Sequence, residues 1–127
     1  MIVRSGGMGL LLLLALQDVE HTQDTLEAVR AALAEKKAVL VDVRETSEWD
    51  EAHLEAALSL PLSRLKKAAA EEIGKVLPPD RVVYVHCAAG RRVLPAARLL
   101  KPLGYDVRPL KAGFEELRRA GFREASK

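Results

Sequence analysis

The single cysteine of this 127-residue chain lies where an apolar run ends and a glycine turn begins. Residues 82–85 are all β-branched or aromatic, which predicts a strand buried on both faces with Cys87 just past its carboxyl end. The chain then turns at Gly90 into two cations, Arg91 and Arg92. A thiol in this place could act as a nucleophile, and the adjacent cations would favour an anionic substrate.

The helix that follows is predicted to begin next to this thiol. Apolar residues recur at helical spacing over 93–100, and Pro95 is tolerated in a helix only within its first turn. The helix should therefore begin near residues 91–93, so that 87–91 form a short turn whose backbone N–H groups point toward Cys87. Loop N–H groups and a helix amino terminus both favour a bound anion and a thiolate. The predicted active-site loop consists of Cys87, Ala88, Ala89, Gly90, Arg91 and Arg92.

Less specific interpretations of the same residues stay open. A lone cysteine after an apolar strand can be an inert buried thiol, and Arg91 and Arg92 can be solvated charges of a first helical turn. Gly90 and the cations favour a reactive Cys87, because an inert buried thiol requires neither. Cations at a helix amino terminus are also unfavourable with the helix dipole, so an anionic partner better explains at least one of them.

Composition limits the class of protein. With 13.9 kDa and 49% hydrophobic residues, the chain is expected to form one domain around one core. A net charge of +2 with interspersed signs gives no reason to expect nucleic-acid binding. One cysteine permits no internal disulfide, and no Cys or His cluster has the spacing of a metal site, so we expect no metal and no cofactor. His21, His53 and His86 are predicted to be surface or loop residues.

The amino terminus has two interpretations. The apolar run 9–16 is too short to span a bilayer, so no stable membrane span is expected, but it has the length of the apolar region of a secretory signal. Residues 17–19 make a poor cleavage site. Residues 1–19 are therefore either a signal peptide of a periplasmic or otherwise exported protein, or a hydrophobic segment packed on a cytoplasmic domain. We favour export and assign the folded domain to residues 20–127.

Helical and strand patterns alternate from residue 22 onward. Asp24 with Glu27 resembles a capping box that opens a helix, and residues 39–41 form an apolar run typical of a buried strand. Strands that alternate with helices predict a parallel sheet covered on both faces. The other predicted strands are 57–60, the run that ends at Cys87, and 105–110, and the other predicted helices begin near residue 46, lie within 62–76, follow the glycine turn, and span 114–120.

The motifs resemble those of the rhodanese domain family over roughly residues 26–122. The matching parts are Val41-Asp42-Val43-Arg44 with Glu48, His53-Leu54 with Ala57, Leu60-Pro61, Cys87-x-x-Gly90-x-Arg92, Gly104-Tyr105 and Gly113. Several independent motifs in the family's order are a strong signal. The chain is most similar to small single-domain bacterial members, including the exported phage shock protein E type. It departs from the family at Ala52, Ala56 and Ala112, where glycine is usual, and at Leu117, where tryptophan is common.

The resemblance implies a rhodanese-like, three-layer α/β fold in which a parallel sheet of about five strands lies between helices. It also implies a thiosulfate sulfurtransferase. Cys87 would take sulfur from thiosulfate or another sulfane-sulfur donor, hold it as a persulfide, and pass it to cyanide or a thiol acceptor, including a protein thiol. Arg92, together with Arg91, would attract the sulfonate, while the loop N–H groups would hold the anion. Asp42, Arg44 and Glu48 are interpreted as structural support for the strand end.

Two other functions stay open. A cysteine-based phosphatase or arsenate reductase also uses a thiolate in a loop with an arginine, but that family has five residues between the two, and this chain has the four residues 88–91 before Arg92. The shorter loop surrounds a smaller space, which suits one sulfur atom better than a phosphoryl group. The second alternative is a persulfide carrier or binding module without multiple turnover, which repeated cycling with a small acceptor would exclude.

Overall fold

The computed structural model of the chain describes residues 19–127. The predicted signal peptide or packed segment at 1–19 therefore lies outside the described residues, except for Val19, which is buried. Within the described part, no helix combines the length and the apolar character that crossing a bilayer requires.

Four parallel strands form the sheet of the described chain. In sequence order they are β1 (Ala38–Asp42), β2 (Ala57–Ser59), β3 (Val82–His86) and β4 (Asp106–Pro109), and in space they lie in the order β2-β1-β3-β4. The parallel α/β fold is confirmed. The strand number was expected to be about five from the family resemblance, whereas the described residues contain four, one for each of the four strand patterns in the sequence.

Helices cover both faces of this sheet. The described residues form α1 (Leu26–Ala34), α2 (Thr46–Glu51), α3 (Leu62–Leu65), α4 (Ala70–Gly74), α5 (Val93–Leu100) and α6 (Phe114–Arg119), with a short 3-10 helix at Lys101–Leu103 after α5. The N-cap of α5 is Arg92, so Pro95 lies in the first turn, as predicted, where its missing N–H breaks no helical hydrogen bond.

The capping prediction for α1 was wrong by one residue. The side chain of Thr25 accepts the N–H of Ala28 at 3.1 Å, which makes Thr25 the N-cap. The carboxylate of Asp24 is engaged elsewhere, because it accepts hydrogen bonds from Tyr84 Oη at 2.6 Å and from Arg108 at 2.9 Å. These partners come from the sheet, far along the chain, and a local pattern does not reveal them.

The side chains of β3 alternate between two apolar clusters. Val83, Val85 and Cys87 pack with residues of α3, α4 and α5 on one face, and Tyr84 packs with residues of α1 and α6 on the other. Both faces of the strand are thus buried, as its apolar sequence predicted. Burial of each large apolar side chain contributes about 1.5–3 kcal/mol, so the strand that carries the cysteine is firmly held on both sides.

The carboxyl ends of the central strands meet at one edge of the sheet. Asp42, the last residue of β1, is the register partner of His86, the last residue of β3. Cys87 follows directly, and the loop to α5 starts there. In open parallel sheets, ligands bind at this edge.

Candidate active site

The loop after β3 directs a backbone donor at the thiol. The N–H of Gly90 donates to Cys87 Sγ at 3.2 Å, while the side chain of Cys87 is only 1% exposed. Ala88 and Ala89 are exposed at the tip of the loop. Gly90 has a φ of +77°, and a Cβ there would lie 2.4 Å from the Lys111 carbonyl oxygen, so only glycine fits both the backbone conformation and the space.

A second glycine supports the loop from below. A Cβ at Gly113 would lie 1.9 Å from the carbonyl oxygen of Ala88, so the loop backbone rests directly on the Gly113 backbone. The next residue, Phe114, donates its N–H to the Cys87 carbonyl at 2.9 Å. The start of α6 therefore packs against the loop backbone and holds it in place. This close packing explains why glycine is required at position 113, where the sequence matches the family.

Asp42 and Arg44 form a buried ion pair beneath this edge. Their side chains are 0% and 6% exposed, and Arg44 Nη2 lies 2.8 Å from Asp42 Oδ2. The same Asp42 carboxylate accepts hydrogen bonds from Arg44 Nε and from the Arg44 backbone N–H. Arg44 also donates to the Ala52 carbonyl at 2.7 Å, and its guanidinium lies 4.3 Å from the centre of the Phe114 ring. This pair joins the end of β1 to α2 and α6.

Glu48 pairs with Arg92 of the loop rather than with Asp42 or Arg44. Its two carboxylate oxygens accept hydrogen bonds from Arg92 at 2.6 Å and 3.0 Å, and both side chains are 33% exposed. The hydrogen bond from Arg92 is the main cause that lowers the pKa of Glu48 to about 2. Glu48 lies in the first turn of α2 and Arg92 at the start of α5, two helices that begin at the same edge of the sheet.

The two loop arginines therefore differ in their surroundings. The guanidinium of Arg92 is held by Glu48, whereas the side chain of Arg91 is exposed. A cleft of about 260 Å³ opens beside the pair and is lined by Arg44, Glu48, Glu51, Ala52, Phe114 and Glu115. Its wall is charged rather than apolar.

The prediction that all three histidines are surface or loop residues was wrong for His86. This residue ends β3, is fully buried, and has no hydrogen-bond partner for either ring nitrogen among the described residues. Its Nε2 lies 3.7 Å from Asp42 Oδ2. Burial is the main cause that lowers the pKa of His86, so the ring is neutral at pH 7. The apolar pattern of β3 continues up to residue 86, and this continuity was the sequence feature that indicated burial of His86.

The other two histidines make specific contacts. His53 stacks on Trp49 with 3.7 Å between ring centroids, and its Nδ1 lies 2.8 Å from the Trp49 carbonyl oxygen. His21 was not identified as a site residue, yet its Nε2 lies 2.6 Å from the carbonyl oxygen of Gly90. No sequence signal could have found this contact, because the acceptor is a backbone group 69 residues away.

Among residues 19–127, no group of three or more His, Cys, Asp or Glu side chains is arranged to hold a metal ion. Cys87 is a free cysteine. The arrangement is thus a single thiol under a backbone N–H donor, flanked by one paired and one exposed arginine.

Known proteins resemble the chain over most of this fold. A family profile described as a rhodanese-like domain matches residues 25–120. The uncharacterized protein YqhL of Bacillus subtilis is 35% identical over 82 residues, which are 64% of this chain and 61% of that protein. A putative mitochondrial thiosulfate sulfurtransferase of Schizosaccharomyces pombe is 33% identical over 79 residues, 56% of each chain. A putative sulfur carrier protein, YrkF of Bacillus subtilis, is 32% identical over 64% of this chain and 42% of its own.

The matched region thus covers about half the length of these curated relatives. Among solved structures, the human single-domain sulfurtransferase TSTD1 superposes with a TM-score of 0.64 at 26% identity, over 74% of this chain and 92% of that one. Protein HP1203 of Helicobacter pylori gives 0.59 at 32% identity, over 72% and 81%. Because residues 25–120 contain all four strands and the whole cysteine loop, this chain belongs to the rhodanese-like domain family.

Proposed function

We propose that the chain is a sulfurtransferase that carries sulfane sulfur as a persulfide on Cys87. The observation that carries this proposal is the Gly90 N–H aimed at Cys87 Sγ, at 3.2 Å, in the loop between β3 and α5. A donor in that position stabilises negative charge on sulfur, and both the thiolate and the persulfide are anions. Membership of the rhodanese-like family supports the same chemistry.

With thiosulfate as donor, the reaction consists of two displacements. The Cys87 thiolate attacks the outer sulfur of thiosulfate, a bond from Sγ to that sulfur forms, and the bond to the sulfonate breaks, with its electron pair leaving on sulfite. Cyanide or a thiolate then attacks the outer sulfur of the persulfide, and the Cys87 thiolate leaves. Charge and electrons balance in each half-reaction, so no external oxidant or reductant is needed.

The enclosure of the thiol favours a slender donor. Cys87 is 1% exposed, so a reacting atom must pass between the loop backbone and the core. The terminal sulfur of thiosulfate or of a persulfide is a single atom, whereas a phosphoryl group brings three further oxygens to the same place. The pairing of Arg92 with Glu48 also argues against a phosphate-wrapping arginine. These observations support sulfur transfer over the phosphatase or arsenate reductase chemistry.

Attraction of an anionic donor is assigned to the loop arginines. Arg91 is exposed and forms no ion pair with residues 19–127, while Glu48 offsets much of the charge of Arg92. We therefore assign the larger share of the long-range attraction to Arg91. Arg92 contributes less to this attraction, because its guanidinium is paired with Glu48.

The test is steady-state turnover with thiosulfate and cyanide. The wild-type chain should release thiocyanate over many cycles and give parallel lines in double-reciprocal plots, as expected for a covalent intermediate. Cys87→Ser should be inactive while its circular dichroism matches that of the wild type. Thiocyanate release by the serine variant, or hydrolysis of a phosphate ester by the wild type at a higher rate than sulfur transfer, would contradict the proposal.

A persulfide carrier is the second candidate, and the enclosed thiol favours it as well. A carrier receives its sulfur from one partner and delivers it to another, and the similarity to the putative sulfur carrier YrkF is consistent with that role. A carrier should load one sulfur from thiosulfate or a protein persulfide and keep it in the presence of cyanide. Repeated thiocyanate release separates the enzyme from the carrier.

A further inference from the structure

The segment before α1 touches the active-site loop, although it lies outside the residues that match the family. This strap, residues 19–24, begins with the buried side chain of Val19. The Nε2 of His21 lies 2.6 Å from the carbonyl oxygen of Gly90. A carbonyl oxygen can only accept a hydrogen bond, so Nε2 must carry the proton and donate.

The strap is fixed to the sheet on the carboxyl side of this imidazole. The backbone N–H of Thr22 donates to the carbonyl of Pro109, the last residue of β4, at 2.8 Å. The Asp24 carboxylate accepts from Tyr84 Oη at 2.6 Å and from Arg108 at 2.9 Å. The scaffold therefore sets the position of the His21 backbone beside the loop.

His21 and Cys87 both form hydrogen bonds with the backbone of Gly90. The N–H of Gly90 donates to Cys87 Sγ at 3.2 Å, and its carbonyl accepts from His21. Gly90 has no Cβ and a φ of +77°, so its own backbone preferences restrain it weakly. The C=O and N–H of a trans peptide point in opposite directions, so a bond to the Gly90 carbonyl also fixes the Arg91 N–H on the side away from His21.

We infer that His21 is a positioning residue for the thiol loop. By holding the Gly90 carbonyl, it fixes the Gly90–Arg91 peptide plane and so limits the φ and ψ rotations by which Gly90 could turn its own N–H away from the sulfur, while Cys87 is a thiolate and, on the basis of the proposed function, a persulfide. His21 acts through Gly90 and touches neither the donor nor the acceptor.

The test uses the full chain with three variants. His21→Leu removes the donor at similar volume, His21→Gln keeps an N–H at a similar reach, and Gln23→Ala, at an exposed position, is the control within the same strap. One readout is the rate of Cys87 alkylation by iodoacetamide across pH, which needs no sulfur donor. The second readout is the kcat and KM of thiosulfate turnover, and thermal unfolding checks the fold.

In His21→Leu, the pH of half-maximal alkylation should move upward and kcat should fall about tenfold, the effect of one lost hydrogen bond. The KM for thiosulfate should change less than about twofold, because the charges near the loop are unchanged. His21→Gln should recover kcat to within about threefold of the wild type, and Gln23→Ala should behave like the wild type.

The inference is overturned if His21→Leu matches the wild type in alkylation and turnover, or if all three variants lose activity to the same extent. His21→Ala replaces the leucine variant if the latter fails to fold. A wild type that shows no thiosulfate turnover, but whose alkylation curve shifts in the leucine variant and is restored by glutamine, would contradict the proposed function alone and leave the positioning role intact.

Discussion

Two ion pairs at the same edge of the sheet are built in contrasting ways. In the first, Asp42 and Arg44 are 0% and 6% exposed, and further backbone hydrogen bonds complete their contacts. In the second, Glu48 and Arg92 are each 33% exposed and hold each other by two side-chain hydrogen bonds. The first joins β1 to the helices beside the loop, and the second includes the last residue of the loop.

This difference in burial assigns the two pairs to different roles: the buried pair to the stability of the fold, and the half-exposed pair to the binding of an anionic donor. Removal of one partner from a buried pair leaves a charge without water or counter-ion, whereas water and salt screen a half-exposed pair. We therefore expect changes in Asp42 to reduce stability, and changes in Glu48 to alter mainly the charge that an incoming donor meets.

The largest expected effect is that of Asp42→Asn on stability. The substitution keeps the shape of the side chain but leaves Arg44 buried without its counter-ion, so the free energy of unfolding should fall by about 3–5 kcal/mol. Urea denaturation measures this loss. Glu48→Gln, the same change in the exposed pair, should lose less than about 1 kcal/mol. Equal losses in the two variants would show that burial does not distinguish the pairs.

A smaller effect, on the KM for thiosulfate, is expected when either residue of the Glu48–Arg92 pair is replaced. Glu48→Gln leaves the charge of Arg92 uncompensated beside the thiol, so the KM for thiosulfate should fall about threefold to tenfold. Arg92→Ala should raise that KM by a similar factor. An uncharged organic trisulfide serves as the control donor, because its KM should be the same in both variants. A rise of the thiosulfate KM in both would mean that the pair acts only as support.

The lowered pKa of Glu48 should also make the free energy of unfolding depend on pH in the acid range. Its pKa is about 2 in the folded chain, below the ordinary value of 4.5, because of the hydrogen bond from Arg92. The ionised carboxylate therefore stabilises the fold above pH 4.5, and this contribution is lost as the pH falls from about 4.5 to 2. Unfolding free energies measured against pH should slope less in this range for Glu48→Gln. An unchanged slope would contradict the assigned cause.

The burial of His86 should make the stability of the chain depend on pH in a second, higher range. Burial lowers its pKa below the ordinary value of 6.5, so the unfolded chain binds this proton more readily than the folded one. Stability should therefore decline as the pH falls below 6.5. His86→Leu should remove this decline, which urea denaturation from pH 7 to 5 checks. The slope caused by Glu48 lies below pH 4.5 and should persist in this variant. A decline from pH 7 to 5 that is the same in His86→Leu would contradict the assignment to His86.

The sequence predicted the features that depend on neighbouring residues. The apolar strand β3, the glycine turn and the proline in the first turn of α5 lie within one short stretch of chain, and local sterics determine each of them. The parallel α/β fold followed from the alternation of such stretches. The role of Cys87 as the reacting thiol stays a prediction from this stretch and from the family.

Contacts between distant segments could not be read in this way. Glu48 meets Arg92 across 44 residues, and His21 meets Gly90 across 69. The sequence shows where each polar or charged residue stands along the chain, but the tertiary packing determines which distant residue it contacts. The burial of His86 was misjudged for a related reason, since the residue type favours the surface and the strand carries it into the core.

The most direct test of the central claim, that Cys87 carries the transferred sulfur, is the intact mass of the chain after incubation with thiosulfate. The wild type should gain the mass of one sulfur atom and lose it again on addition of cyanide. Cys87→Ser should gain nothing under the same conditions. An equal gain in the serine variant, or no gain on the wild type with thiosulfate or any other sulfane-sulfur donor, would contradict the claim.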